Sequence, residues 1–398
     1  FIVQIMKKFS WQLMTNNILQ EDKKALINFI KSTNKFTNGI KVKEFEKKWS
    51  KWLGVKYSTF VNSGASANLI SLHILKELKK NKTEVILPAF TWNSDVVSVL
   101  NAGFKPIFVD IQLKNLALDE EQVKKKINKN TAAIFLTHAM GFPGISSNFL
   151  KFIKKRKIFL IEDVCESHGA KLNDKKLGSL GNISNFSFYY AHHMTTIEGG
   201  MVCTNSKQID TIVKMKRGHG LLRDSQNNAL INKTKRKLKD LNSDFIFLTE
   251  GFNLRNNELS AVIGLQQLKR LDKIIKERNT NHRLFIKHLR KDIFFTDFDL
   301  NGSSNYAFQL ILKKRNKRLF NKVLSVLKNN SIEYRVGSVG GGNQLRQPYL
   351  KSYNFKKKYK SLKNTEHMHF YGLYIGNYPY LNHKKIVKLC RLLDNIKF

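Results

Sequence analysis

The sequence predicts an α/β fold, with a mostly parallel central sheet flanked by helices and a smaller C-terminal α+β domain. Three observations carry that reading of its 398 residues. Short apolar runs end in polar or turn residues at 84–90 (E-V-I-L-P-A-F), 105–110 (K-P-I-F-V-D), 132–137 (A-A-I-F-L-T) and 158–163 (I-F-L-I-E-D), each with the length of a buried strand. Helix-like stretches at 64–80, 91–102 and 146–156 separate them, and strand–helix–strand at this spacing builds parallel sheets. A long helical pattern over 257–290 then gives way to a second unit, with Y-A-F-Q-L-I-L (306–312) as one of its strands.

In chain order, residues 1–20 read as an N-terminal arm, 21–275 as a large domain and 276–398 as a small one. The polar, basic stretch 220–250 reads as a loop excursion. Ligands of such sheets bind beyond the carboxyl ends of strands, where Asp110 and Asp163 both fall. A hydrophobic share of 42%, with 5 prolines and 22 glycines and no repeat, excludes a collagen, a solenoid or a disordered chain. No apolar run approaches the roughly 18 to 20 residues that cross a bilayer.

Seventy Lys and Arg against 30 Asp and Glu give a net charge of +40, which invites a nucleic-acid reading. The basic residues are scattered over polar helix faces and loops, however, in a chain also rich in Asn, Ile and Phe. That joint bias fits an AT-rich coding sequence, so no nucleic-acid or membrane partner is expected, only a surface potential that attracts anionic ligands. Three dispersed cysteines, Cys165, Cys203 and Cys390, point to a reduced compartment and cannot supply four thiolates to an iron–sulphur cluster. The first residues hold too short an apolar patch for a secretory signal, and Met6 offers an initiator; a cytoplasmic protein is expected.

Three segments carry chemistry. In V-N-S-G-A-S-A-N-L (61–69) a strand end meets a helix start, and Gly64, Ala65 and Ser66 leave free amides able to hold a phosphate. Ser63 and Ser66 would serve equally in an ordinary N-cap. In I-E-D-V-C-E-S-H-G-A (161–170) a strand-end acid, Asp163, needs a cation or strong donor if buried, with Glu166 three residues on. A pyridinium nitrogen, a metal lacking a clear third ligand, and a plain helix cap all remain open there. In N-F-S-F-Y-Y-A-H-H-M-T-T-I-E-G-G-M-V (185–202), two adjacent histidines sit inside residues 177–206, a stretch without a single Lys or Arg. Such depletion marks a buried segment, where a histidine is either structural or catalytic. His367 and His369 suggest a metal by eye, but that spacing is commoner on a surface, and no metal is expected.

Taken in this order, and with P-A-F-T-W-N-S (88–94) and E-G-F-N-L-R-N-N-E-L-S-A-V-I-G (250–264), the segments resemble the sugar aminotransferase family of the fold-type-I, aspartate-aminotransferase-like pyridoxal 5′-phosphate (PLP) enzymes. The resemblance runs from about residue 15 to the C-terminus. It implies that Asp163 pairs with the pyridine nitrogen and that Glu166, where most members carry Gln, lies near the ring hydroxyl. It implies that Gly64, Ala65, Ser66 and Ser187 hold the phosphate and that Trp92 stacks on the ring. Asn253 would reach the phosphate of the neighbouring subunit in a homodimer.

One departure outweighs the matches. The family carries a lysine seven residues before its Gly-Gly, and seven before Gly199 this chain has His192. An imidazole cannot tether the cofactor, but it can accept and return a proton near neutral pH. The H-H-M-T-T-I-E-G-G version resembles the small nucleotide-sugar 3-dehydratase branch, which implies non-covalent pyridoxamine 5′-phosphate (PMP), with His192 as the acid/base in place of lysine. The substrate implied is a GDP-linked, less readily a CDP- or dTDP-linked, 4-keto-6-deoxy sugar, with L-glutamate restoring the amine. K-R-G-H-G-L-L-R-D (216–224) resembles the segment in which a His and an Arg line the sugar site, here His219 and Arg223. In E-Y-R-V-G-S-V-G-G-G-N-Q-L-R-Q-P-Y-L (333–350), Arg335 and Arg346 beside a glycine run suit a diphosphate, or merely a flexible basic loop. A lysine-free 4-keto-sugar aminotransferase and a non-catalytic cofactor-binding regulator are the alternative readings.

Overall fold

The computed structural model describes residues 9–353, 355, 359–394 and 396. Residues 1–8 of the expected arm and Lys356, Lys357 and Lys358 of the last basic run lie outside them.

The main sheet holds β1 (Tyr57–Val61), β2 (Glu84–Pro88), β3 (Lys105–Val109), β4 (Thr131–Thr137) and β5 (Phe159–Asp163). After a short hairpin of β6 (Lys171–Leu172) and β7 (Lys175–Lys176), it is completed by β8 (Ile183–Ser187) and β9 (Gly200–Thr204). The order is β1-β9-β8-β5-β4-β2-β3, with β9 antiparallel to both neighbours and every other pairing parallel. The four expected strands are β2 to β5. Their apolar residues point to two layers, one around Phe45, Trp49 and Phe186, the other around Ile70, Val85 and Phe135. A sheet buried on both faces needs continuous apolar runs, which is why these strands read so clearly.

Register then sets the working edge. Thr137 lies beside Asp163, Asp163 beside Asn185, and Ser187 beside Gly200. Polar residues at the carboxyl ends of β4, β5 and β8 therefore share one edge of the sheet.

The C-terminal unit has a three-stranded antiparallel sheet of β10 (Ala307–Ile311), β11 (Tyr334–Val336) and β12 (Gly372–Gly376), in the order β10-β12-β11. Trp11 from the N-terminal segment is buried in its core and donates Nε1–H to the Gly376 carbonyl at 2.9 Å. The 31-residue helix Glu258–His288 serves both units, with Ala261 and Leu265 in the main core and Phe285 in the small one.

Stretch 220–250 departs from the expected loop. It contains a 3₁₀ turn at Leu222–Ser225 and a helix at Asn228–Lys237. Asn227 caps that helix by accepting the Leu230 N–H at 3.1 Å, and Lys235, Arg236 and Lys237 complement its C-terminal dipole. The helix buries only Thr234, so it offers no apolar stripe to read.

Glu258 ties the long helix to its neighbour. Its carboxylate accepts the N–H groups of Gly39 (3.0 Å), Lys41 (2.9 Å) and Val42 (2.9 Å), the orphan donors at the start of helix Ile40–Leu53. Glu258→Ala is expected to cost about 3 kcal/mol, because three buried or half-buried donors lose a charged acceptor together. Urea unfolding monitored by circular dichroism measures it, and a loss below about 0.5 kcal/mol would contradict this account.

Candidate active site

A cavity of about 540 Å³ opens where the polar edge of the sheet meets the C-terminal unit. Gly64, Ala65, Trp92, Asp163, Glu166, Ser187, His192 and Arg335 all line it, so eight of the expected residues converge.

One end is built for an anion. Ser63 caps helix Gly64–Leu78 by accepting the Ser66 N–H at 3.1 Å, which places Ser66 in the first turn and off the cavity wall. The capping and ligand readings of this segment are thus compatible. The amides of Gly64 and Ala65 have no helical acceptor, and Ser187 stands opposite. Glycine is required by close approach: a Cβ on Gly64 would lie 2.6 Å from Ser187 Cβ, and one on Gly200 would lie 2.2 Å from the Ser63 carbonyl oxygen. The Gly199–Gly200 pair lets β9 run against this helix start.

The other end is acidic. Asp163 is 4% exposed, with Oδ1 accepting the Cys165 N–H at 2.9 Å and Oδ2 the Asn68 amide at 2.8 Å. Among the described residues no lysine, arginine or histidine forms an ion pair with it. Glu166 accepts the Met140 N–H at 2.9 Å, yet burial outweighs that bond and lifts its carboxyl to about 7. Trp92, 58% exposed, overhangs the opening. A flat cationic ring bearing a phosphate suits this cradle: amides and a hydroxyl at one end, an unpaired carboxylate at the other.

The two histidines separate. His193 is fully buried and bonds Ser304, to its carbonyl at 2.9 Å and its hydroxyl at 3.0 Å, so it is the structural one. His192 lines the cavity with Nδ1 unpartnered. Burial, and to a lesser degree Arg278, pull its imidazole down to about 4 against the raising effect of Asp163. The near-neutral titration expected for it gives way to a ring that is uncharged at neutral pH and free to accept a proton. Among the described residues no lysine lines the cavity.

Other expectations fall elsewhere. Arg346 is committed to a bidentate pair with Glu366 (2.8 and 2.5 Å) and lies over the rings of Tyr359 and Phe370, away from the cavity. A glycine-rich neighbourhood alone cannot show that a carboxylate twenty residues later has already taken the guanidinium. His219, Arg223 and Asn253 are exposed and do not line the cavity of this chain. Asp110 caps helix Lys363–Tyr371 through the N–H groups of Asn364 (2.9 Å) and Thr365 (2.8 Å). His367, expected on the surface, is buried and bonded to the Leu312 carbonyl at 2.6 Å. Sequence reasoning missed Asn68, Asp95, Thr137, Arg278, Tyr306 and Tyr374. The polar residues among them sit inside apolar-periodic stretches, where only that mismatch signals them.

A model of the DegT/DnrJ/EryC1/StrS aminotransferase family matches residues 17–394. GDP-4-keto-6-deoxy-D-mannose 3-dehydratase of Yersinia pseudotuberculosis is 32% identical over 381 residues, covering 94% of this chain and 96% of that protein. The E. coli GDP-4-keto-6-deoxy-D-mannose-3-dehydratase with bound hydrated PLP superposes with a TM-score of 0.87 at 29% identity, covering 97% of this chain and 100% of that one. A GDP-4-keto-6-deoxymannose-3-dehydratase with a trapped PLP-glutamate geminal diamine gives 0.85 at 28%, covering 96% and 100%. With its fold and nearly its whole length matched, the chain belongs to the DegT/DnrJ/EryC1/StrS aminotransferase family.

Proposed function

We propose that this protein is a PMP-dependent 3-dehydratase of a nucleotide-linked 4-keto-6-deoxyhexose, GDP-4-keto-6-deoxymannose, with L-glutamate as the source of the amine. One observation carries the reading: among the described residues the cavity wall presents His192 and no lysine, so the cofactor is held without a covalent tether. Substrate and glutamate become the 4-keto-3,6-dideoxy sugar nucleotide, 2-oxoglutarate and ammonia, which balances the oxygen lost from C3 against the oxygen gained by glutamate's carbon.

Bound PMP supplies a primary amine for the C4 ketone and a pyridinium ring that draws electrons from its C4′ carbon. Asp163 holds the proton on the ring nitrogen, which keeps that ring electron-poor. Gly64, Ala65 and Ser187 bind the phosphate, and Ser66 keeps the helix start in shape. His192, uncharged at rest, takes a proton from C4′ and hands it to the departing C3 hydroxyl; one base near both atoms completes the elimination. Trp92 covers the ring face, and Arg335 at the mouth meets the anionic nucleotide sugar. Exposed Asn253, His219 and Arg223 suit a homodimer in which each chain completes its partner's site, and the enzyme works in the cytoplasm.

The reading is tested with purified protein, PMP, L-glutamate and GDP-4-keto-6-deoxymannose. A product lacking one oxygen, formed with 2-oxoglutarate, is expected; a product that gains an amino group and keeps its C3 oxygen identifies an aminotransferase instead. His192→Asn should lower dehydration by about 10²–10⁴-fold while leaving PLP binding within a few-fold. Full dehydration by that variant would end the assignment of the base.

Glu166 yields a pH prediction. Below about 7 its carboxyl is protonated and donates to an anionic ring oxygen; above, two anions face each other. PLP affinity should therefore fall as pH rises through about 7, and Glu166→Gln, a donor at every pH, should flatten that fall. Fluorescence titrations from about pH 6 to about pH 8.5, compared between wild type and variant, cancel the phosphate's own ionisation. Parallel curves would exclude the role.

A further inference from the structure

Behind Asp163 stands a second acid for which the reaction above has no use. Asp95, in helix Asn93–Asn101, is 1% exposed and does not line the cavity. The Asn68 amide nitrogen donates to Asp95 Oδ1 at 2.8 Å and to Asp163 Oδ2 at 2.8 Å, with the Ser94 hydroxyl a longer neighbour at 3.2 Å. Its two hydrogens are thereby spent joining two carboxyls.

The other oxygen of Asp95 reports a proton. Oδ2 forms a triangle with the hydroxyl oxygens of Thr91 and Thr137: Thr91 and Thr137 both hydrogen-bond to it, the latter at 2.7 Å, and the two hydroxyls are themselves 2.7 Å apart. Three such contacts need three hydrogens, and the threonines bring two. A hydrogen on Asp95 Oδ2 closes the ring, so that each oxygen donates once and accepts once.

The surroundings agree. Among the described residues no cation pairs with Asp95. The ionisable groups facing it are Asp163 from β5, Cys165 just beyond it, and Tyr349. Burial first, and then the charge of Asp163, hold the Asp95 carboxyl well above the usual carboxylate range.

We propose that Asp95 is a positioning residue, a proton-bearing carboxyl that works through Asn68 to fix Asp163 as the single anion of a buried acid pair. A net charge of minus one then meets the one cationic N–H of the cofactor ring. The positioning role rests on the reading that Asp163 faces that nitrogen; the proton on Asp95 does not.

The experiment separates the two. In cofactor-free protein at neutral pH, the infrared difference spectrum between wild type and Asp95→Asn should show loss of the C=O stretch of a protonated carboxyl. If the difference spectrum lacks that band, Asp95 is ionised and the proposal is overturned, whatever the substrate. PLP is then added to both proteins. Asp95→Asn, neutral and still a donor, should bind within about threefold of wild type, whereas loss of a charged group would cost roughly tenfold or more. At neutral pH the absorbance maximum of bound PLP in Asp95→Asn should coincide with that of wild type, whereas Asp95→Leu, which offers Asn68 no acceptor, should shift it. Coincident maxima in all three proteins overturn the positioning role. If the band is present but neither protein binds PLP, it is the functional reading that fails.

Discussion

A carboxylate at the end of a fully buried strand, with no side-chain cation to pair with, imposes a debt on everything around it. Asp163 is delivered there by the run of apolar residues that makes β5 a central strand, and its position follows from register rather than from loop conformation. Asp95 and Glu166 are equally without an ion-pair partner among the described residues. Leaving three such groups ionised in one wall would cost far more than the fold can bear. The structure answers with hydrogen bonds from Asn68, Thr91, Thr137 and the Met140 and Cys165 amides, with raised proton affinity at two of the acids, and with space for a cationic ring.

The opposite end of the cavity follows from packing. Helix Gly64–Leu78 leaves β1 at Ser63, and β9 returns between β1 and β8 close enough that Gly200 touches the Ser63 carbonyl. Side chains at Gly64 or Gly200 would push the helix start away from Ser187. The same glycines that permit three elements to meet also keep two amides open for a phosphate. Fold and site therefore share their constraints here, since the glycines that let these elements meet also shape the end of the cavity.

What could be read in the sequence divides along the same line. The strands β2 to β5 and the long helix were legible because double-sided burial leaves continuous apolar runs, and Asp163 was legible as the polar residue that ends one of them. His192 and His193 stood out together because a segment free of Lys and Arg marks burial, and only the lysine position of the family resemblance singled out His192. What stayed hidden depends on pairings between distant segments. Nothing local distinguishes Arg335, which reaches the cavity, from Arg346, which Glu366 has taken. Asn68 lies near the end of the segment singled out at 61–69, and Asp95 one residue past the segment at 88–94. Each looks like a polar residue on a helix until the sheet brings them to one carboxylate. Exposed His219, Arg223 and Asn253 are a different case, since none of them lines the cavity of this chain and Arg223 lies over the Phe245 ring instead.

The cavity is electrically divided, and His192 stands on the boundary. Acids crowd the sheet side, while Arg278, 1% exposed and hydrogen-bonded to the Tyr306 and Asn377 carbonyls and the Met14 sulphur, stands with Arg335 on the side of the C-terminal unit. Asp163 raises the proton affinity of the imidazole and Arg278 lowers it, with burial the largest influence of all. A neutral base is what the first half of an elimination needs. The second half needs an acid strong enough to give the proton up, and an imidazolium in a buried setting is one. A lysine at the same point would bond to the cofactor aldehyde instead. Histidine at this position thus changes the chemistry open to the cavity, while the strands and glycines that frame it stay as they are.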